Sequence, residues 1–180
     1  MMGIDEKKTF VPINIAVLTV SDRRTLAEDT SGQTLVERLT AMGHKLAARN
    51  LLKDDVDLIV QQLEAWIKDP NVDCVITTGG TGVTGRDVMP EAFQQVCEKE
   101  IPGFGELFRW ISLKSIGTST IQSRATAGVA NGTYLFALPG STGAVKDGWD
   151  EILKYQLDAR HTPCNFVELM PRLREHINKD

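Results

Sequence analysis

The chain has 180 residues, 42% of them hydrophobic and 24% charged, with a formal net charge of −4, enough for one well-buried domain and short for two. No cluster of Lys and Arg interrupts the acidic balance, which argues against nucleic acid as the main partner. The apolar stretches are only strand-sized and Asp5, Glu6, Lys7 and Lys8 lie near the start, so no membrane span or signal peptide is expected, and the expected location is cytoplasmic.

Ile13 to Val20 is a continuous apolar run, the pattern of a strand buried on both faces, and it ends at Ser21-Asp22-Arg23-Arg24. Ser31 can cap a helix that carries Leu35, Leu39 and Met42 on one face and stops at Gly43. A second strand is predicted over residues 45–52. After Lys53, Asp54 or Asp55 caps a helix whose apolar face is Val56, Ile59, Val60, Leu63 and Ile67, and which ends before Pro70. Val72 to Thr78 reads as the third strand, and a glycine-rich loop follows at once. Pro90 and Glu91 suit the first turn of a helix running to about Glu100. Another helix starts near Phe104 and turns Leu107, Phe108 and Ile111 inward, whereas Gly117 to Arg124, rich in hydroxyls, has no assignable structure. Tyr134 to Leu138 is a further buried strand, followed by Pro139-Gly140-Ser141-Thr142-Gly143 and a helix through Val145, Trp149, Ile152 and Leu153.

Repeated strand, loop and helix units predict one α/β domain with a mostly parallel central sheet, over residues 13–170. Residues 1–12 form an N-terminal extension and 171–180 a C-terminal tail. The loops beginning at Ser21, Lys53, Gly79 and Pro139 should all open on the carboxyl edge of that sheet, where ligands of such folds bind. Cys74, Cys97 and Cys164 have no metal-like spacing and are expected as thiols, and the scattered His44, His161 and His176 make no zinc or iron site. Trp66, Trp110 and Trp149 lie in predicted helices, as core or subunit contacts.

The most informative stretch is Thr77-Thr78-Gly79-Gly80-Thr81-Gly82-Val83-Thr84-Gly85-Arg86-Asp87. Glycines let backbone N–H groups approach phosphate oxygens, and a helix start follows. Gly80, Gly82 and Gly85 have the spacing of a dinucleotide fingerprint, but that motif belongs to the first strand–helix unit and here follows the third strand. Gly80 and Gly85 also have the phosphate-loop spacing, but Arg86-Asp87 stand where Lys and Ser or Thr are required. A purely structural turn is the plain alternative. Asp87 repels a bare phosphate unless a divalent cation lies between them, which points to magnesium nucleotide chemistry. Asp54, individually a helix cap, can join Asp87 around one magnesium if their strand ends meet. Asp22 and Asp29 can serve a ribose or a turn, Arg124 a phosphate or a packed interface. Pro139 to Thr142 is a second cradle, and two cradles on one edge allow a group transfer.

With these loops located, the chain resembles the molybdenum cofactor biosynthesis proteins of the MogA and MoaB family, from about Ile13 to Phe166. The resemblance is carried by Leu18-Thr19-Val20-Ser21-Asp22-Arg23, Asp29-Thr30-Ser31-Gly32, the Thr77 to Asp87 loop with Pro90-Glu91-Ala92, and Leu138-Pro139-Gly140-Ser141. Gly103-Phe104-Gly105-Glu106, Ile116 to Thr120, Gln122-Ser123-Arg124-Ala125 and Leu157-Asp158-Ala159-Arg160 are similar to its MoaB branch.

The resemblance implies a three-layer α/β/α sandwich that forms trimers, paired into hexamers in the MoaB branch, and adenylyl transfer from Mg-ATP to molybdopterin. It also implies Asp54 and Asp87 as catalytic, metal-associated aspartates. Ser21, Asp22, Thr78, Gly79, Gly80, Thr81, Gly82 and Arg86 are the expected nucleotide site, and Pro139, Gly140, Ser141 and Thr142 the expected site for the molybdopterin phosphate. Family members often carry proline where this chain has Gly85, threonine where it has Met89, and proline where it has Lys53. A non-catalytic pterin- or nucleotide-binding protein of the same pathway is the alternative, and a nucleotide hydrolase ranks last.

Overall fold

A computed structural model describes residues 3–176. In chain order the elements are β1 (Gly3–Ile4), β2 (Asn14–Val20), α1 (Thr30–Met42), β3 (Lys45–Leu52), α2 (Val56–Lys68), β4 (Cys74–Thr78), α3 (Met89–Val96), β5 (Lys99–Glu100), α4 (Pro102–Ile116), β6 (Thr126–Ala130), β7 (Thr133–Leu138), α5 (Thr142–Gly148), α6 (Lys154–Gln156), β8 (His161–Thr162) and α7 (Phe166–Leu169). A 3-10 segment, Gly117–Gln122, follows α4, and a π turn, Trp149–Leu153, joins α5 to α6.

Six strands form one sheet in the order β3-β2-β4-β7-β6-β5. β3, β2, β4 and β7 run parallel, while β6 and β5 add an antiparallel edge. Because successive side chains on a strand point to opposite faces, the continuous apolar runs divide cleanly between two cores. Ile15 and Val17, Cys74 and Ile76, and Tyr134, Phe136 and Leu138 pack on one face with α1, α4 and α5. Ala16 and Leu18, Val75, and Leu135 and Ala137 pack on the other with α2 and α3. Each fully buried Leu or Phe among them contributes about 1.5–3 kcal/mol relative to exposure. The result is the expected mostly parallel α/β sandwich.

Several local expectations are corrected. Asp29, not Ser31, caps α1: its carboxylate accepts from Gly32 N at 2.9 Å, from Thr19 Oγ1 at 2.6 Å and from Arg49, while Ser31 donates to it. Of the two caps left open for α2, Asp55 is the one used, which leaves Asp54 available to the cleft. The helix expected to reach Glu100 ends at Val96, because Lys99 and Glu100 pair with Val129 and Gly128 of β6. Leu107 is 46% exposed on α4, although Phe108 is buried and Ile111 packs against the core as expected; Phe104 is buried as well. Trp66 and Trp149 are core residues, while Trp110 is 68% exposed. All three cysteines are free thiols. Among the described residues no helix is long and apolar enough to cross a membrane.

The ends of the chain also pack. β1 pairs antiparallel with β8, Phe10 stacks against His44, and Leu173 rests on the core. His44 is 3% exposed, and its Nδ1 accepts from Ile13 N at 3.3 Å, so the ring proton sits on Nε2, which has no partner. Burial, only partly offset by the Asp158 charge, pushes this imidazole down to about 4. The unfolded chain therefore binds a proton that the folded chain refuses between its ordinary value near 6.5 and about 4. The stabilisation is present above that window and is lost as pH falls through it. Relative to His44→Gln, the native sequence should lose about 2 kcal/mol more stability between about pH 7 and pH 4.5, read from denaturant unfolding curves.

Candidate functional site

The carboxyl ends of β2, β3, β4 and β7 open into one cleft of about 880 Å³. Asp54, Asp87, Gly80, Arg86, Gly140 and Ser141 all line it. The loops beginning at Ser21, Lys53, Gly79 and Pro139 thus share one edge, as parallel strands require.

The glycine loop approaches its neighbours too closely for side chains. Gly79 has φ +104, and a Cβ there would stand 2.2 Å from Val20 O. Its amide donates to Leu138 O at 3.0 Å, and Thr78 Oγ1 donates to Pro139 O at 2.9 Å, so the two cradles are stitched backbone to backbone. A Cβ on Gly82 would lie 2.7 Å from Asp87 Oδ2, so the missing side chain is what lets the carboxylate fold over the loop. Asp87 Oδ2 accepts from Thr84 N at 2.8 Å and Thr84 Oγ1 at 2.6 Å. Burial alone raises the Asp87 carboxyl, but these bonds, with Gly82 N–H and the Arg124 charge, outweigh it and hold the group below its ordinary value.

β2 lies between β3 and β4, so the strand ends bearing Asp54 and Asp87 are not adjacent; the loop after β2 bridges them. Asp54 Oδ2 accepts from Asp22 N at 3.1 Å, and Asp22 Oδ1 accepts in return from Asp54 N at 3.3 Å. Asp22 Oδ2 holds Arg86 through Nε at 2.8 Å and Nη2 at 2.5 Å, and this pairing keeps Asp22 ionised below its usual range. Asp54 Oδ1 lies 3.4 Å from where a Cβ on Gly80 would stand and accepts no hydrogen bond among the described residues. Burial raises the Asp54 carboxyl, and the charges of Asp22 and Asp87 raise it further. Asp54 is therefore a carboxylate short of positive charge, facing the glycine loop.

Among the described residues no group of three or more His, Cys, Asp or Glu forms a ready-made metal cage. A pair of carboxylates beside a phosphate cradle fits magnesium, which keeps waters and completes its shell with substrate phosphates. Cys- or His-based transition-metal chemistry has no donor set here.

Thr78 and Thr142 do not line the cleft: Thr78 ties the loops together, and Thr142 Oγ1 lies 3.1 Å from Thr30 Oγ1. Ser21 Oγ accepts from Arg23 N and Arg24 N, shaping the turn after β2, and Ser141 Oγ accepts from Ala144 N at 3.2 Å. Asp29 is 2% exposed and structural. Arg124 lies behind the loop rather than over a phosphate: it donates to Gly82 O and Asp87 O, each at 2.6 Å, and pairs with Glu91. Two cleft residues escaped the sequence reading. Arg24 Nη1 bridges Ser31 Oγ at 3.2 Å and Gly140 O at 3.1 Å, placing a cation beside the second cradle, and Asp147 of α5 also lines the cleft. Adjacency to Asp22 was the available signal for Arg24; Asp147 had none.

Residues 16–159 match a family described as a probable molybdopterin binding domain. Molybdenum cofactor biosynthesis protein B of Escherichia coli K12 is 48% identical over 157 residues, 87% of this chain and 92% of that protein. Its counterpart in Bacillus subtilis is 41% identical over 155 residues, 84% of this chain and 91% of that one. A crystal structure of a molybdenum cofactor biosynthesis protein B superposes with a TM-score of 0.84 at 37% identity, covering 93% of this chain and 99% of the other. With its fold, its paired loops and these relatives in agreement, the chain belongs to the MogA and MoaB family of molybdenum cofactor biosynthesis proteins.

Proposed function

We propose that the protein acts in molybdenum cofactor biosynthesis as a molybdopterin adenylyltransferase, joining the phosphate of molybdopterin to the adenylyl group of Mg-ATP. The observation that carries this reading is the meeting of Asp54, Asp87 and the Gly79–Gly82 backbone in one cleft, with the Pro139–Ser141 loop packed against it. An oxygen of the molybdopterin phosphate attacks the nucleotide α-phosphorus, forming the new P–O bond as the bond to the β-phosphate bridge breaks and pyrophosphate leaves. No covalent protein nucleophile is needed, so the chain's task is positioning and charge neutralisation. Gly80 leaves room for the triphosphate against the backbone, Gly82 lets Asp87 close over the loop, and Arg86 lends positive charge at the mouth. Arg24, which donates to the Gly140 carbonyl, lends positive charge beside the second phosphate seat. Asp54 and Asp87 would hold magnesium, which supplies neutralisation of the triphosphate.

The test is direct. Purified protein incubated with Mg-ATP and molybdopterin should yield adenylylated pterin and pyrophosphate together. Binding of both ligands without product, under conditions where an active relative turns over, would contradict the enzyme reading and leave a binding protein. Release of pyrophosphate or phosphate without pterin would indicate a hydrolase.

Self-association belongs to the same reading. Leu107, Trp110, Leu113 and Ile116 expose apolar surface at three-residue intervals along α4, with Ile121 75% exposed beside them. A patch of this kind on one helix marks an interface. Trp110→Glu should convert the expected trimer or hexamer to monomer in sedimentation equilibrium, and an unchanged mass would remove α4 from the interface.

A further inference from the structure

The carbonyls of the glycine loop are tied down on one side. Gly80 O accepts from Met89 N at 2.9 Å, and Thr81 O accepts from Arg124 N at 2.8 Å. The Arg124 side chain takes two more: Nε donates to Gly82 O and Nη2 to Asp87 O, each at 2.6 Å. One residue thus fixes three carbonyls of the loop, and it does not itself line the cleft.

A planar trans peptide sends its C=O and the following N–H in opposite directions. With the Gly80, Thr81 and Gly82 carbonyls anchored behind the loop, the amides of Thr81, Gly82 and Val83 must face away from those anchors. The Asp87 carboxylate marks the other side: it lines the cleft and gathers the Thr84 amide, with Gly82 N–H beside it. The amides of Thr81 and Val83 have no acceptor among the described residues, although Thr81 is only 2% exposed. A buried N–H is normally paired, so the Thr81 amide stands ready for an acceptor that enters the cleft.

The loop does not enforce this orientation by itself. Glycines at 80 and 82 relax the steric limits on backbone rotation, so the peptide units beside them are free to turn over and point a carbonyl into the cleft. A carbonyl there would meet phosphate oxygens with like partial charge. Arg124 opposes that turn with two charge-assisted bonds, and Glu91 of α3 aims its fork, accepting from Nη1 and, at 3.2 Å, from Nη2. The backbone around Arg124 is anchored in turn. Arg109 Nη1 of α4 donates to Ser123 O at 3.4 Å and Ala125 O at 3.3 Å, one on either side. Lys cannot replace this arrangement, since its single nitrogen lacks the planar fork that reaches two carbonyls and a carboxylate at once.

We propose that Arg124 is a positioning residue, which holds the Thr81, Gly82 and Asp87 carbonyls behind the glycine loop and so turns the loop amides toward the triphosphate. This rests on the magnesium-nucleotide reading above. The probe is magnesium tripolyphosphate, titrated by calorimetry, with unfolding curves to show which variants fold. Arg124→Ala and Arg124→Lys should each weaken its binding about tenfold or more. Wild-type affinity in Arg124→Lys would mean that positive charge alone suffices, and would overturn the proposal. Amide resonances of the deuterated protein give a second readout that loss of packing would not imitate. In wild type, tripolyphosphate should move the Thr81 and Val83 amide protons downfield as they donate, and in Arg124→Lys it should leave them in place. Tripolyphosphate that binds wild type without moving either amide overturns the proposal, and that measurement does not depend on a variant folding; the nucleotide reading then stands without Arg124. If wild type binds neither tripolyphosphate nor a non-hydrolysable Mg-ATP analogue, the nucleotide reading itself fails and takes this proposal with it.

Discussion

Asp87→Asn should lower the rate of adenylyl transfer about a hundredfold or more, equivalent to roughly 3 kcal/mol of lost transition-state stabilisation. The substitution changes charge and little else. Asn keeps a carbonyl oxygen that can accept from the Thr84 amide and hydroxyl, which hold Asp87 in place at 2.8 and 2.6 Å, so the loop should keep its shape. What disappears is one of two negative charges in a cleft where burial and the charges of Asp22 and Asp87 raise the Asp54 carboxyl against the opposing charge of Arg86. Removing a carboxylate from a stable ion pair would simply strand its partner. Here Asp54 sits buried in the field of Asp22 and Asp87, which disfavours its charge in the empty protein and gives the pair its value when a cation arrives. Initial rates of adenylylated pterin formation measure the effect, with unfolding curves as the control. A rate within about threefold of wild type would remove Asp87 from the catalytic account.

Gly79→Ala should be the most damaging single-methyl change in the cleft, costing on the order of 3–5 kcal/mol. Two independent costs combine. The backbone at Gly79 has φ +104, where an L side chain is strained, and the added Cβ would lie 2.2 Å from Val20 O, a backbone atom of the neighbouring strand that cannot swing aside. Relief requires β2 and β4 to part at the carboxyl edge, which would also pull the Gly79 amide from Leu138 O and open the seam between the two cradles. Gly85→Ala is the matched control: no positive φ is required there and a Cβ would meet nothing within 4 Å. It should shift stability by no more than about 0.5 kcal/mol. Thermal or denaturant unfolding of the pair separates the two positions, and equal effects would mean that the loop is not held as described.

The buried strands were legible because burial on both faces leaves few polar interruptions: Asn14 and Thr19 are the polar residues in Ile13 to Val20, and Tyr134 to Leu138 is apolar but for the tyrosine hydroxyl. β6 was missed for the opposite reason. Thr126-Ala127-Gly128-Val129-Ala130 is made of small residues whose size is set by tertiary contact, since a Cβ on Gly128 would stand 2.4 Å from Cys97 Sγ. The same contact explains why α3 stops early, because the chain must turn there to deliver Lys99 and Glu100 to β6. Ser31 and Asp29 are both good caps, and only the half-buried Arg49 and the buried Thr19 beside Asp29 decide between them. The glycine loop announced itself through composition. Its partners did not, because they arrive from other strands: Asp22 fastens Arg86 across 64 positions, and Arg124 grips the loop from 37 and 42 positions away. Asp147 is an ordinary helix residue in sequence and becomes notable only where the cleft reaches it.

The central claim is that Asp54, Asp87 and the glycine loop together form one magnesium-nucleotide site. A crystal structure of the protein with magnesium and a non-hydrolysable ATP analogue tests it most directly. The account predicts the phosphates on the Gly79–Gly82 backbone and a single magnesium ion contacted by both aspartates. A nucleotide seated elsewhere on the molecule, or phosphates on this loop with the metal touching neither Asp54 nor Asp87, would contradict it.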